Sequence, residues 1–412
     1  MNTTISMVPR RGAQRIFLGI LLSCCLVLML SGAGSPVSGD PVQTRSDAAG
    51  AARSFSLKYE ESSSILTRLD LGQQDVRFRK EPEFGKNDKI VRQALRIGPD
   101  AGDFVGFAVN LTRRMLYLDL NRNLDLTDDP QGVYHSAPVA GGNAPIPFAF
   151  FKGVRLALRD NGGERPYLLE PFYFLNETTG YIGIRSCYRG VVELGGRQWL
   201  FQVQDNLDGR FDANDKFMVA PVPGRMEPKG IPYGAMPLPR RLFLGGSEYQ
   251  LGIALDSASG YKTATATFVE CSSPMSELAL EARFARRLVL IQADERLVIL
   301  DNPEGKIRLP AGDYRIQASY LQAAGGKPIL IGSTGKSHFS AAAGAVTGVR
   351  VGAPFTSSVA AERKGNILLL SYALRGAAGE VYALSNPDRG NPPKFVIYRG
   401  DREVARGDFR FG

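Results

Sequence analysis

Histidine is scarce in this chain. There are two, His135 and His338, together with four Cys and one Trp. That leaves almost no material for zinc centres built on His and Cys, for haem or for iron–sulfur clusters. The two His are single, and each reads as a strand or turn residue rather than a catalytic base. Nucleophile motifs are missing as well. No Gly-x-Ser-x-Gly elbow occurs. Gly335-Lys336-Ser337 lacks the upstream Gly of a phosphate loop, because Leu330 stands there. Ser333-Thr334-Gly335-Lys336 has Ser-x-x-Lys spacing, but at a turn between strands and not at the start of a helix. No two carboxylates are marked as a glycosidase pair. The chain therefore reads as non-enzymatic. The alternative is a secreted hydrolase acting on polysaccharide, with a site assembled from distant loops.

Long apolar runs are confined to one place. Ile16 to Leu30 follows Arg10, Arg11 and Arg15 and precedes the small residues of Ser31 to Gly39. This is the layout of a secretory signal peptide, residues 1–39. The run is short for a membrane span, and no transmembrane segment follows it. Leu21-Leu22-Ser23-Cys24 resembles a bacterial lipobox, yet the apolar run continues to Leu30, past the point where lipoprotein cleavage should end it. The expected location is secreted, periplasmic or cell envelope. Removing the signal leaves 47 basic against 41 acidic residues. So mild an excess, with no dense basic stripe, argues against nucleic acid as a partner. Cys187 and Cys271 are then the two Cys left in an oxidising compartment. They are candidates for one disulfide, with two buried thiols as the alternative.

Glycine and proline are plentiful, at 46 and 25 residues. Between them, alternation with period two recurs. It is seen in Val154-Arg155-Leu156-Ala157-Leu158, in Trp199-Leu200-Phe201-Gln202-Val203 and in Tyr249-Gln250-Leu251-Gly252-Ile253. Ser276 to Arg287 has a helix-like start, but Leu278, Leu280, Ala282 and Phe284 alternate as in a strand. The expected fold class is all-β, as tandem β-sandwich modules of about 100 residues each, with an internal duplication. Residues 40–54 read as a linker. Residues 55–165 form the first repeat copy and 166–272 the second. A third module covers 273–358 and a fourth 359–412. Residues 221–239 hold six prolines and read as a long crossing loop.

The duplication rests on matching features in one order. Each copy has a hairpin, at Val109–Leu116 or Val192–Leu200. Each hairpin leads to a loop rich in Asp and Asn. A proline pair follows, Pro145 and Pro147 or Pro237 and Pro239, and then another alternating strand.

The loops carry the chemical content. Calcium wants six to eight oxygens at ~2.4 Å. An Asp or Asn at every second position, with Gly at the bend, wraps such oxygens around one point. In the second loop Asn206 and Asp208 point inward, Gly209 makes the bend, Arg210 offers its backbone carbonyl, and Asp212 and Asp215 close the shell. This resembles the calcium loop of EF-hands and dockerins. Gln204 departs from the acidic first position, and Asp205 has the wrong parity to replace it. The first loop has Asp119, Asn121, Asn123, Asp125 and Thr127 at the same parity. Leu124 replaces its bend Gly, and a Leu at positive φ is strained, so a different loop geometry is expected there. Pro130 takes the last ligand position, which leaves that role to Asp128 or Asp129. The alternative for both loops is a set of ordinary Asx turns.

Leu309-Pro310-Ala311-Gly312-Asp313-Tyr314 resembles the Leu-Pro-x-Gly-x-Tyr turn of carboxypeptidase regulatory-like and PEGA-type β-sandwiches. The stretch from Leu370-Ser371-Tyr372 to Gly407-Asp408-Phe409 is similar to immunoglobulin-like terminal modules. With the Asx loops, the chain resembles large multi-module secreted proteins of environmental bacteria. The resemblance implies an exported, mostly non-catalytic protein, often calcium-stapled. Its expected role is binding or scaffolding at the envelope, toward a glycan or protein ligand that the sequence does not specify.

Overall fold

The computed structural model describes residues 5–6, 51–61, 67–70, 76–100, 102–137, 148–160, 163–175, 180–222, 235–322, 329–333, 338–365, 367–384 and 393–409. The predicted signal and linker, 1–54, lie outside these residues except at 5–6 and 51–54. Pro145, Pro147, the middle of the Pro-rich stretch and residues 334–337 of the Gly-Lys-Ser segment also lie outside them. The fold is all-β. Among the described residues the helical segments are single 3-10 turns at Pro130–Gly132 and Ser257–Ser259. No helix there is long and apolar enough to cross a membrane.

The chain divides into two compact units. One holds Ala49–Ser272 with Asp294–Leu297, and the other is built from Ser273–Ala293 and Val298–Gly412. In the first unit, Ala52–Glu60 lies between Cys187–Leu194 and Thr263–Cys271 in a large sheet. That sheet continues outward through Arg197–Gln204 and Lys216–Pro221 on one side, and through Ser247–Leu255 on the other. A second sheet orders Thr67–Asp70, Gly180–Ile184, Gly163–Phe174 and Phe148–Phe150, with Val154–Asp160 also paired to Gly163–Phe174. A third is the meander Ile90–Arg96, Phe104–Asn110, Met115–Leu118 and Val133–His135.

Alternation explains several of these strands. In Gly163–Phe174 the odd positions from Arg165 to Tyr173 are buried and the even ones are half-exposed. The buried face packs with the third sheet. Phe107, Leu116 and Leu118 meet Leu156, Leu158, Leu169 and Ile184 in one core, and each such side chain contributes ~1.5–3 kcal/mol on burial. Tyr173 Oη donates to Gln93 Oε1 at 2.9 Å and ties the two sheets together. Leu207, from the second Asx loop, belongs to the same core.

Both Asx loops hold the same place in the same local topology. Each leaves the second strand of a hairpin and returns as the next antiparallel strand. One joins Met115–Leu118 to Val133–His135, and the other joins Arg197–Gln204 to Lys216–Pro221. The boundary drawn at 165/166 falls inside the strand Gly163–Phe174, and the one at 358/359 falls inside Thr356–Lys364. The chain leaves the first unit after Ser272.

Cys187 and Cys271 are not joined by a disulfide. Both flank the strand Ala52–Glu60, but at opposite ends. Cys187 is opposite Glu60, while Val269 is opposite Ala52, so Cys271 lies beyond the far end. At ~3.3 Å per residue, the span from Glu60 to Ala52 alone is ~25 Å, against a Cα separation below ~7 Å for a bridge.

In the second unit Met275–Glu281 and Ala285–Ile291 are strands. Leu278 and Leu280 are buried, but the alternation stops at a turn where Phe284 takes φ 70° and is 42% exposed. Gly305–Pro310 and Gly312–Gln322 flank the Pro-Ala-Gly turn. Fully buried Tyr314 donates its hydroxyl hydrogen to the Pro310 carbonyl. Tyr314→Phe removes that bond and leaves a buried carbonyl short of a donor. The expected loss is about 1–2 kcal/mol, read as a lower urea midpoint at unchanged slope. An unchanged midpoint would show that the bond contributes nothing net.

Candidate metal site

The site forms where the strand Arg197–Gln204 ends. Gln204 is buried, and its Nε2 donates to the carbonyls of Ile184 at 2.9 Å and Ser186 at 3.1 Å. Its amide nitrogen is therefore committed to the segment that leads into Cys187–Leu194. Asp205 enters the loop interior instead. Its Oδ1 accepts the amides of Leu207 and Gly209, and its Oδ2 accepts the Tyr167 hydroxyl at 3.0 Å. The local backbone explains why parity fails here. Leu207 has φ 81° and Gly209 has φ 80°, so strict alternation is broken twice. Leu207 is held in this conformation by core packing and by its carbonyl, which accepts the Gly98 amide at 2.7 Å. At Gly209 a Cβ would sit 2.6 Å from Leu158 Cδ2, so the bend needs glycine for space as well as for φ.

Asp215 closes the loop. It is fully buried; Oδ1 accepts the Asn206 amide at 2.8 Å and Oδ2 the Asp212 amide at 2.6 Å. Burial pushes its pKa up to about 8, with the nearby charges of Asp205 and Asp208 adding to the rise. Asp205 is raised too, mainly by burial, with the Arg165 charge opposing. Asp208 is half-buried, and its Oδ1 accepts the Arg210 amide at 2.9 Å. One oxygen from each of Asp205, Asp208 and Asp215 lies within 4.8 Å of the other two. The group can hold a metal ion; the donors are all hard oxygens, as calcium or magnesium prefers.

Asp212, the other predicted carboxylate ligand of this loop, stands outside that group. Asn206 Oδ1 accepts the Asp208 amide, and Asp212 Oδ1 accepts the Asn214 amide. Asp212 and Arg210 are exposed. These side chains stiffen the loop as successive Asx turns.

The charge that balances the group comes from Arg165. It sits on the buried face of Gly163–Phe174, is 1% exposed, and places Nη2 2.6 Å from Asp205 Oδ2. Its guanidinium carbon lies 5.2 Å from the Phe211 ring centre, 5.3 Å from that of Tyr167 and 5.9 Å from that of Tyr188. Three aromatic faces thus shelter the cation. The signal in the sequence is a lone Arg at the apolar parity of a strand.

The first loop uses Asp119 and Asp129 in the same two roles. Asp119 is fully buried and accepts the amides of Asn123 and Leu124 at 3.0 Å, while Asp129 accepts those of Leu120 and Asn121. Asn121, Asn123 and Asp125 each cap the amide two residues on. Thr127 donates its hydroxyl hydrogen to Asp125. Leu124 does take φ 67°, against the expectation of a different geometry there. The cost, roughly 1–2 kcal/mol, is offset locally, because Asp119 binds its amide and its carbonyl accepts the Arg79 amide. Lys80 Nζ lies 3.8 Å from Asp125. Among the described residues, this loop gathers no three carboxylates in ligand range.

His135 and His338 are exposed strand residues, one in each unit. No protein-family model, curated protein or solved structure matches the chain, so its own geometry carries the functional reading.

Proposed function

We propose that this is an exported, non-catalytic β-protein of the envelope or extracellular space that holds one calcium ion as a structural staple in the loop 205–215. Its role is binding or scaffolding toward a glycan or protein ligand. The observation that carries the reading is the convergence of Asp205, Asp208 and Asp215 at a mostly buried point. Ionising all three carboxylates here is opposed by their mutual repulsion and by lost water, and a hard cation relieves both penalties. The first loop, with Lys80 against Asp125, works without an ion.

Extracellular calcium sites work at ~0.1–1 mM affinity, so 10 mM calcium would stabilise the folded chain by about 2 kcal/mol. For a unit of this size that is a rise in melting temperature of about 4–8 °C. Scanning calorimetry in 10 mM calcium and in chelator measures it directly. Equal melting temperatures would remove the ion from the reading and leave both loops as Asx turns.

A further inference from the structure

We infer that Arg165 is a tethered counter-cation that sets both the affinity and the charge preference of the group Asp205, Asp208 and Asp215. This rests on the reading of that group as a cation site. The guanidinium touches Asp205 at 2.6 Å and is walled by Tyr167, Tyr188 and Phe211. Its Nη1 and Nη2 are buried, and neither is aligned on a hydrogen-bond acceptor among the described residues. The cage therefore holds a positive charge beside the carboxylates, with Nη2 against Asp205. Asp205 is where the two cations meet. Its Oδ1 is taken by backbone amides and its Oδ2 by Tyr167 and Arg165. An ion that reaches Asp205 shares it with Arg165, so binding is weaker than three carboxylates alone would give.

The charge count sets the preference. With Asp215 ionised, as a bound ion favours, three carboxylates and one guanidinium leave two negative charges, which a divalent ion neutralises. Without the guanidinium three remain, which a trivalent ion neutralises. Lys216 adds a more distant, half-buried charge beside Asp215 and is common to every variant considered.

The test uses the full chain and its variants Arg165→Met and Arg165→Lys. Calcium binding is read by titration calorimetry and terbium binding by luminescence. Arg165→Met is expected to bind calcium about tenfold tighter and to shift further toward terbium. Arg165→Lys keeps the charge and is expected to stay within about threefold of the parent chain. If the parent chain binds neither ion, the cation reading itself fails. If the parent binds and folded Arg165→Met binds no tighter, the site stands and the role of Arg165 falls. If Arg165→Met does not fold, the parent chain decides by NMR. The Arg165 Nε–H resonance is expected to shift with the same midpoint as calcium binding, and a resonance that does not move would overturn the inference.

Discussion

Replacing Arg165 by Ala is expected to cost about 3–5 kcal/mol of stability in chelator at neutral pH. The guanidinium is the partner that compensates Asp205 inside the unit, and both side chains are almost wholly buried. Breaking such a pair by removing one member leaves the other charged and desolvated, which is far costlier than losing an exposed ion pair. The cage adds to the loss, since the faces of Tyr167, Tyr188 and Phe211 lose the cation they pack against. Urea unfolding measures the effect. Arg165→Ala with Asp205→Asn should lose less than the sum of the two single changes, because the uncompensated charge is gone. A loss below about 1 kcal/mol for Arg165→Ala would contradict the assignment, since that is the size of an exposed pair.

The second large effect is on pH dependence. Folded Asp215 keeps its proton up to about pH 8, whereas an unfolded Asp loses it near ~3.9. Between those values the folded chain binds more protons than the unfolded one, so stability in chelator falls as pH rises. The contribution is fully present below about pH 4 and is lost by about pH 8, amounting to about 5 kcal/mol at most. Asp205 and Asp119, both raised mainly by burial, act in the same direction. Asp215→Asn removes the largest part of the slope. Saturating calcium flattens it too, because the bound ion favours the ionised carboxylates. Unfolding free energies measured from pH 5 to pH 8 test this. Stability that rises across that window in chelator would contradict the burial of an uncompensated Asp215.

These effects show which parts of the molecule were legible in sequence. Alternation was enough for the all-β class, because strands such as Gly163–Phe174 and Thr263–Cys271 bury one face and a period of two is the direct consequence, although Phe104–Asn110 is buried along nearly its whole length. The Asx-rich loop was legible as a loop, and Gly209 as its bend. The identity of the inward carboxylate was not. Parity excluded Asp205, and parity holds only while φ stays negative; Leu207 at φ 81° turns the chain. That conformation comes from the core that Leu207 joins, a non-local cause with no local trace. Arg165 lies 40 residues upstream of Asp205 and meets it only because Gly163–Phe174 and the loop share one core. The same limit applies to Cys187 and Cys271. Their separation depends on where Ala52–Glu60 inserts between two strands more than 120 residues away, and spacing along the chain carries no record of that insertion.

The most direct test of the account is the calcium content of the purified chain at equilibrium. Dialysis against 10 mM calcium, followed by counting of bound ion, should give close to one calcium per chain, lost in Asp208→Asn. Asp208 is the member of choice because it is only half-buried, so its replacement leaves the fold intact while removing one charged ligand. No bound ion in the parent chain, or an equal amount in Asp208→Asn, would contradict the account.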